Sequence, residues 1–269
     1  MTATISPAPT LGDDPALAAY EATADVYDTF TAHHDYDAWT SVLEDLARRH
    51  GLDSPGELLD VGCGTGKSFL PWHHRGWSVT ACDQSVAMLR HAAAKAPADV
   101  RLVEADARQL DVLGEFRLVL MLDDVVNYLA ADELAPAFAG VARNLAPDGL
   151  VVFDVNTLSV FRGFFAAAEV CDRDGCFVVW QGRARGDFAP GETAEAAMDA
   201  FVQDRDGRWE RRRALHREHH HPATRLERAL ADAGLERVAT YGHDYECNVD
   251  DTPDELRHTK LIVIARRAS

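Results

Sequence analysis

Apolar positions recur along this chain with two different periods, and the change from one to the other divides it. Over residues 16 to 32, Leu17, Tyr20, Ala24, Tyr27 and Phe30 fall three and four apart, the spacing of one helical face. A second helix is expected over 36 to 50. From about residue 55, short apolar runs bounded by turn residues predict strands near 57–61, 77–82, 100–104, 116–122 and 149–155. Helices are expected between them near 66–75, 85–95 and 132–146. Ser85 and Asp132 read as N-caps, and Pro147-Asp148-Gly149 as a tight return into the fifth strand. Alternating strands and helices with right-handed crossovers imply an α/β fold, a doubly wound and mostly parallel sheet with helices on both faces.

After Thr157 the pattern changes. Cys176–Trp180, Ala197–Val202 and Trp209–His220 predict antiparallel strands, with turns in the Gly182–Gly191 loop and at Asp204-Arg205-Asp206-Gly207. Thr224 and Glu227 have the spacing of a capping box for a helix that stops at Gly234. A sixth strand is expected at 235–242 and the last at Lys260–Ala265. The sequence shows no internal repeat.

Residues Leu58 to Gly66 carry the most specific chemistry. A short apolar run ends in Asp60 and then places Gly62, Gly64 and Gly66 at alternate positions. A buried strand that breaks this way leads into an amide-rich helix start facing a ligand. A dinucleotide fingerprint needs its third glycine one residue later. A phosphate-binding loop finds its ending in Gly66-Lys67-Ser68, yet needs a glycine where Val61 stands. Asp-x-Gly-x-Gly-x-Gly matches at every position. Asp83 closes the second strand 17 residues beyond Gly66, where a carboxylate accepts from both hydroxyls of a ribose. Asp106 follows the third strand and Asp123-Asp124 the fourth, so acids gather at one sheet edge.

On these residues, the segment from about 55 to 156 resembles the core of class I S-adenosylmethionine-dependent methyltransferases. Asp35–Trp39, Asp123–Tyr128 and Phe153–Thr157 resemble the glycine N-methyltransferase-like and small-molecule N-methyltransferase branch. Arg117 departs from the pattern, because that position usually carries an acid. The resemblance implies a Rossmann-like sheet of seven strands, with its one antiparallel pairing at the end, and S-adenosylmethionine as cofactor. Asp60, Gly62, Gly64, Asp83, Gln84, Met88, Asp106, Ala107 and Leu122 are the implied cofactor contacts. Among them, Asp83 would hold the ribose, Asp106 the adenine amino group, and the Leu122 backbone the amino acid end. Tyr20, Tyr27 and Trp39 correspond to N-terminal aromatics that close over the cofactor, where a desolvated sulfonium above a ring gains about 0.5–2 kcal/mol.

For the acceptor side, Asn127 and Tyr128 are expected to flank the methyl group, and His216 to orient the acceptor or take its proton. Asp123 and Asp124 offer an alternative hold on a protonated amine, and Trp180 a cavity wall. The expected organisation is a disordered tail over 1–14, a helical lid over 15–52, a core over 53–156 and 223–269, and an insert over 157–222 covering the acceptor. The implied activity is methyl transfer to an amine of a small metabolite, an amino sugar or a secondary-metabolite intermediate of the antibiotic kind. Transfer to a hydroxyl is the alternative, and a non-catalytic cofactor-binding module a further one.

Charge narrows the partners. The chain has 27 basic and 44 acidic residues, a formal net charge of −17 that repels nucleic acid. No apolar run approaches a membrane span and the N-terminus lacks a signal layout, so a cytoplasmic enzyme without a membrane partner is expected. A small-molecule acceptor and a possible homo-oligomer complete the expected partners. Five scattered cysteines are expected to be free thiols. His216, His219, His220 and His221 crowd one segment, yet no second segment has matching ligand spacing, so no metal is expected.

Overall fold

Two helices precede the first strand in a computed structural model, which describes residues 14–173, 175–204, 206–244 and 246–268. α1 (Pro15–Phe30) begins where the Asp14 carboxylate accepts from the amides of Ala16 and Leu17. Pro15 occupies the first turn, where its missing N–H is no loss. Residues 1–13 of the expected tail lie outside the described residues. Asp14 is a helix cap, which corrects the boundary drawn at 14.

α2 (Tyr36–Arg49) is capped by Asp35 and buries Tyr36, Trp39, Leu43, Leu46 and Ala47 along one stripe. That stripe joins a core with Leu58, Leu118, Leu120, Val152 and Ile262. α2 therefore covers the sheet, where a place in a lid was expected, and reaches the ligand edge through Tyr36, while α1 lies over that edge.

The chain then runs through β1 (Glu57–Val61), α3 (Leu70–His74), β2 (Ser78–Asp83), α4 (Val86–Lys95), β3 (Arg101–Glu104), β4 (Phe116–Met121), α5 (Leu134–Asn144) and β5 (Leu145–Asn156). After α6 (Leu158–Arg162) come β6 (Ala168–Arg173), β7 (Cys176–Gly182), β8 (Thr193–Gln203) and β9 (Trp209–His219), an antiparallel meander forming a second sheet. α7 (Ala223–Asp232), β10 (Leu235–His243), β11 (Val249–Asp250) and β12 (Lys260–Arg267) return to the first. Its order is β11-β10-β12-β5-β4-β1-β2-β3. β1 to β5 pair in parallel, while β12 runs against both β5 and β10. Expected were seven strands with one antiparallel pairing. Among the described residues there are eight, and β5–β12, β12–β10 and β10–β11 are all antiparallel. On the second face of this sheet, α5 and α7 pack Phe138, Val141, Leu226 and Leu230 against Phe153 and Val263.

Several local expectations are corrected. The helix expected near 66–75 shrinks to Leu70–His74, because Gly64 and Gly66 hold the loop at φ +53° and +89°. Glu133 precedes α5, its carboxylate accepting from the Ala130 amide at 2.7 Å, so Asp132 caps nothing. Thr224 lies inside α7, which starts after Pro222 without a side-chain cap, and no capping box forms. Pro147-Asp148-Gly149 is part of the long β5, and the irregularity falls instead in its pairing with β4 around Arg117. β6 has no counterpart in the expected strands, since its residues are mostly exposed and lack an apolar alternation.

α1 ties the two sheets together. Its Ala19 and Val26 share a core with Phe161, Phe165, Trp180 and Met198. Arg212 of β9 and His91 of α4 both reach Asp25 on its outer side.

Candidate active site

The sharp turn after β1 builds the first half of the site. The amides of Gly62 and Cys63 donate to the Cys82 carbonyl, which fastens the glycine loop to the end of β2. Gly62 (φ +78°) passes so close to Val125 that a Cβ would lie 2.5 Å from its Cγ2. A Cβ at Gly64 would meet nothing within 4 Å and would project into the cleft. The Asp83 carboxylate accepts from the Gly64 and Ser85 amides, each at 2.8 Å. Burial pushes its pKa up to about 6.

α1 lies over this cleft and is fastened at several points. Glu21 accepts from the Ser85 hydroxyl and the Ala87 amide, Asp28 from Thr65 and Lys95, and Lys67 donates to the Thr31 carbonyl. Arg108, which sequence reasoning missed, binds Asp106, the α1 cap Asp14 and Gln84. Both Asp106 oxygens are engaged by that guanidinium.

Nine of the expected cofactor contacts line this one cleft: Tyr20, Tyr27, Gly62, Gly64, Asp83, Gln84, Asp106, Ala107 and Leu122. Three do not. Asp60 is fully buried beneath the loop, where it accepts from the Ser68 hydroxyl at 2.5 Å. Met88 faces inward from α4, with 1% of its surface exposed. Trp39 packs between Tyr36 and His243 inside the core. Tyr36, on the same stripe of α2, takes the place expected of Trp39 on the cleft wall.

Past β4 the chain makes an unusual turn. Asp123 and Asp124 both hold left-handed backbone, at φ +62° and +61°, a conformation costing roughly 1–3 kcal/mol for each such residue. The buried Asp154 carboxylate holds the turn by accepting both amides, at 2.6 and 3.0 Å. Lys260 of β12 donates to Asp154 at 2.6 Å and lies 3.4 Å from Asp123. Tyr36 and Tyr27 donate their hydroxyls to Asp123 at 2.6 and 3.1 Å. Burial opposes the Asp123 charge, but Lys260 and these donors hold its pKa below the usual carboxylate range.

Behind this turn opens a second cavity of about 640 Å³. Tyr20, Tyr27, Asp123 and Tyr128 line both spaces and form the wall between them. His216 is buried on β9, its Nδ1 2.9 Å from the Tyr128 hydroxyl and its Nε2 without a partner among the described residues. Burial lowers its pKa to about 4, so the ring is neutral near pH 7. Trp180 lines the same cavity, 5.3 Å from the His216 ring.

Asn127 is corrected to a structural role. It is fully buried, donates to the His219 carbonyl and accepts from the Asn156 amide, and it lines neither space. The other crowded histidines are tied into the fold: His219 to Thr193, His220 to Glu255, and His221 to the carbonyls of Val126 and Leu129. Among the described residues no group of three or more His, Cys, Asp or Glu is placed to hold a metal ion. None of their helices is long and apolar enough to cross a membrane. The five cysteines are free.

Sequence reasoning missed Glu218, Asn156 and Lys260 on the cavity wall. One signal for Glu218 was present: in a strand, residue 218 shares a face with 216.

Comparison with known proteins agrees with this geometry. Residues 58–149 match the methyltransferase domain family. A putative methyltransferase of Geobacillus sp. (strain WCH70) is 29% identical over 249 residues, 91% of this chain and 98% of that one. The dTDP-3-amino-3,4,6-trideoxy-alpha-D-glucopyranose N,N-dimethyltransferase of Streptomyces venezuelae is 33% identical over 156 residues, 56% of this chain and 65% of that protein. The crystal structure of Streptomyces venezuelae DesVI superimposes with a TM-score of 0.70 at 26% identity, covering 91% of this chain and 98% of that one. A glycine cradle at the edge of a mostly parallel sheet, in a chain with these relatives, identifies residues 58–149 as a methyltransferase domain with the fold of class I S-adenosylmethionine-dependent methyltransferases.

Proposed function

We propose that the chain transfers a methyl group to the amine of a small metabolite, an amino sugar or a related secondary-metabolite intermediate. The charge of the acceptor cavity carries this reading. Asp123, Asp124, Glu169, Asp172 and Glu218 line it against two cations, Arg173 and Lys260, together with the rings of Tyr20, Tyr27 and Trp180. An ammonium group gains from carboxylates and from aromatic faces, while a neutral hydroxyl gains little from their charge. The Streptomyces venezuelae relative, named for N,N-dimethylation of an amino sugar, supports the same substrate class.

The cleft suits the cofactor. The space beside Gly64 is free of side chains among the described residues, and Asp83 keeps unused lone pairs for a ribose diol after accepting two amides. Gln84, Asp106 and Ala107 would face the adenine, with Arg108 sharing Asp106. Gly62 and Leu122 would meet the amino acid end. S-adenosylmethionine supplies, when bound, a methyl group already activated by its sulfonium. The chain's own work is alignment and exclusion of water, and such positioning is worth roughly 7–11 kcal/mol of a barrier. Tyr20, Tyr27 and Tyr128 fit that work, because they stand between the two spaces.

One observation favours transfer to a hydroxyl as a second reading. His216 is neutral, buried and unpaired at Nε2, which suits it to accept a hydroxyl proton. The test is methyl transfer from a labelled donor to a panel of amines, each paired with its hydroxyl isostere. We expect label in the amine members. Label confined to the hydroxyl members would replace this reading with the second.

A further inference from the structure

Four carboxyl groups gather around one cation where the two spaces meet. Asp154 and Asp123 are accounted for by Lys260, by two backbone amides and by two tyrosine hydroxyls. Among the described residues, Asp124 and Glu218 have no cation of their own within ion-pair distance. Both accept from a single nitrogen: Asn156 Nδ2 donates to Asp124 Oδ2 at 3.0 Å and to Glu218 Oε2 at 2.8 Å. Asn156 is fixed in turn, because its backbone amide donates to Asn127 Oδ1 at 2.9 Å. One amide thus draws together carboxyl groups from the loop after β4 and from β9. Two like charges held so close need a proton or a cation between them.

The other observation pointing to a ligand is His216, two residues before Glu218 on the same face of β9. It is 5% exposed, its Nδ1 is engaged by Tyr128, and its Nε2 has no partner on the wall of the same cavity.

We propose that Asp124 and Glu218, clamped by Asn156, bind the acceptor as a protonated amine and take its proton before methyl transfer. This rests on the N-methylation reading. The N–H bond of the ammonium breaks, its electron pair stays on nitrogen, and the proton passes to a Glu218 oxygen. The nitrogen lone pair then forms the new bond to the methyl carbon, and the electrons of the breaking carbon–sulfur bond remain on sulfur. His216 Nε2 is a positioning group for a polar substituent of the acceptor.

The groups facing Glu218 are Tyr20 from α1, Asp123, Asp124 and Tyr128 from the loop after β4, Asn156 from β5, His216 on its own strand, and Lys260 from β12. Burial first, opposed by Asn156 and Lys260, brings Glu218 up to about 7. Burial and the neighbouring Glu218 hold Asp124 well above the usual carboxylate range. Both shifts favour a protonated carboxyl group in this pair.

The test compares wild type, Glu218→Gln and Asp124→Asn with dTDP-3-amino-3,4,6-trideoxy-alpha-D-glucopyranose as probe. At pH 7 the kcat of Glu218→Gln should fall by roughly 10²–10⁴-fold. The loss should shrink as pH rises and the amine deprotonates in solution. Asp124→Asn should mainly raise KM. Full turnover in both variants, or an equal loss at every pH, overturns the proposal. Should either variant fail to fold, wild type still decides: the N-trimethyl analogue of the probe should bind at least tenfold more tightly than the 3-hydroxy analogue, and equal binding overturns the pair. Failure of the underlying reading looks different. Wild type itself would then methylate no amine, and the proposal would fall with it.

Discussion

The glycine cleft and the cavity proposed for the acceptor share a wall of Tyr20, Tyr27, Asp123 and Tyr128, yet they are built in opposite ways. The cleft is organised around a turn of backbone. Its floor is a glycine loop at positive φ, and its acids sit at strand ends where the fold delivers them. The cavity is made of side chains from α1, the loop after β4, β5, β9 and β12, and its charges compensate one another in a buried network. A backbone cradle tolerates change around it. A buried charge network does not, because removing one member leaves its partners unpaired in a medium that solvates them poorly.

The largest effect is therefore expected at Lys260. Lys260→Met leaves Asp154, which is completely buried, and Asp123 without their cation. Breaking a buried pair this way costs about 3–5 kcal/mol, measurable by urea denaturation. In the variant these carboxyl groups gain a raised pKa in the folded state, which then binds more protons than the unfolded chain. Part of the loss should return as pH falls. A loss below about 1 kcal/mol would mean that water solvates the cluster and that the contrast between the two regions is false.

A smaller and purely local effect is expected in the cleft. Asp83→Asn should weaken cofactor binding by at least tenfold, since each hydrogen bond to a charged group is worth about 1.5–3 kcal/mol. Thermal stability should change far less than in the Lys260 variant. With the Asp83 pKa at about 6, wild-type affinity should hold steady above that pH and weaken below it, as the carboxylate gains a proton. The variant should lose this dependence. Calorimetry across pH 5 to 8 checks both, and a variant with wild-type affinity would reduce Asp83 to a brace for the loop.

The smallest effect lies outside both regions. Asp25 pairs with Arg212 and His91 on the exposed side of α1. Asp25→Ala should cost no more than about 1 kcal/mol and should vanish in high salt. A larger loss would show that α1 is held by its outer ion pairs, not by the apolar face it shares with the insert.

The same contrast explains what the sequence made legible. The cleft follows local spacing: Asp60 to Gly66, Asp83 and Asp106 are each placed by a strand that ends nearby. Three of the implied contacts failed for a common reason. The side chains of Asp60, Met88 and Trp39 are buried in the core, and spacing along the sequence does not encode that direction. The cavity depends on register between distant strands. Lys260 stands opposite Asn156 because β12 pairs with β5, and Glu218 arrives because the meander folds back over the sheet edge. His216 and Tyr128 were legible individually, whereas the carboxyl pair beside them needs three separated segments to meet. Thr224 and Asp132 failed as caps for a simpler reason. The residues that immediately precede α7 and α5 are Pro222 and Glu133, so each helix starts one or two positions away from the expected cap.

The central claim is that the acceptor cavity presents an amine, not a hydroxyl, to the methyl group. It is tested most directly with an acceptor that carries both, the 3-amino sugar nucleotide incubated with a carbon-13-labelled methyl donor. The chemical shift of the transferred methyl reports the atom to which it is bound. A single product with the label on nitrogen is expected. Label on oxygen, with the amine left free in the same molecule, would contradict it.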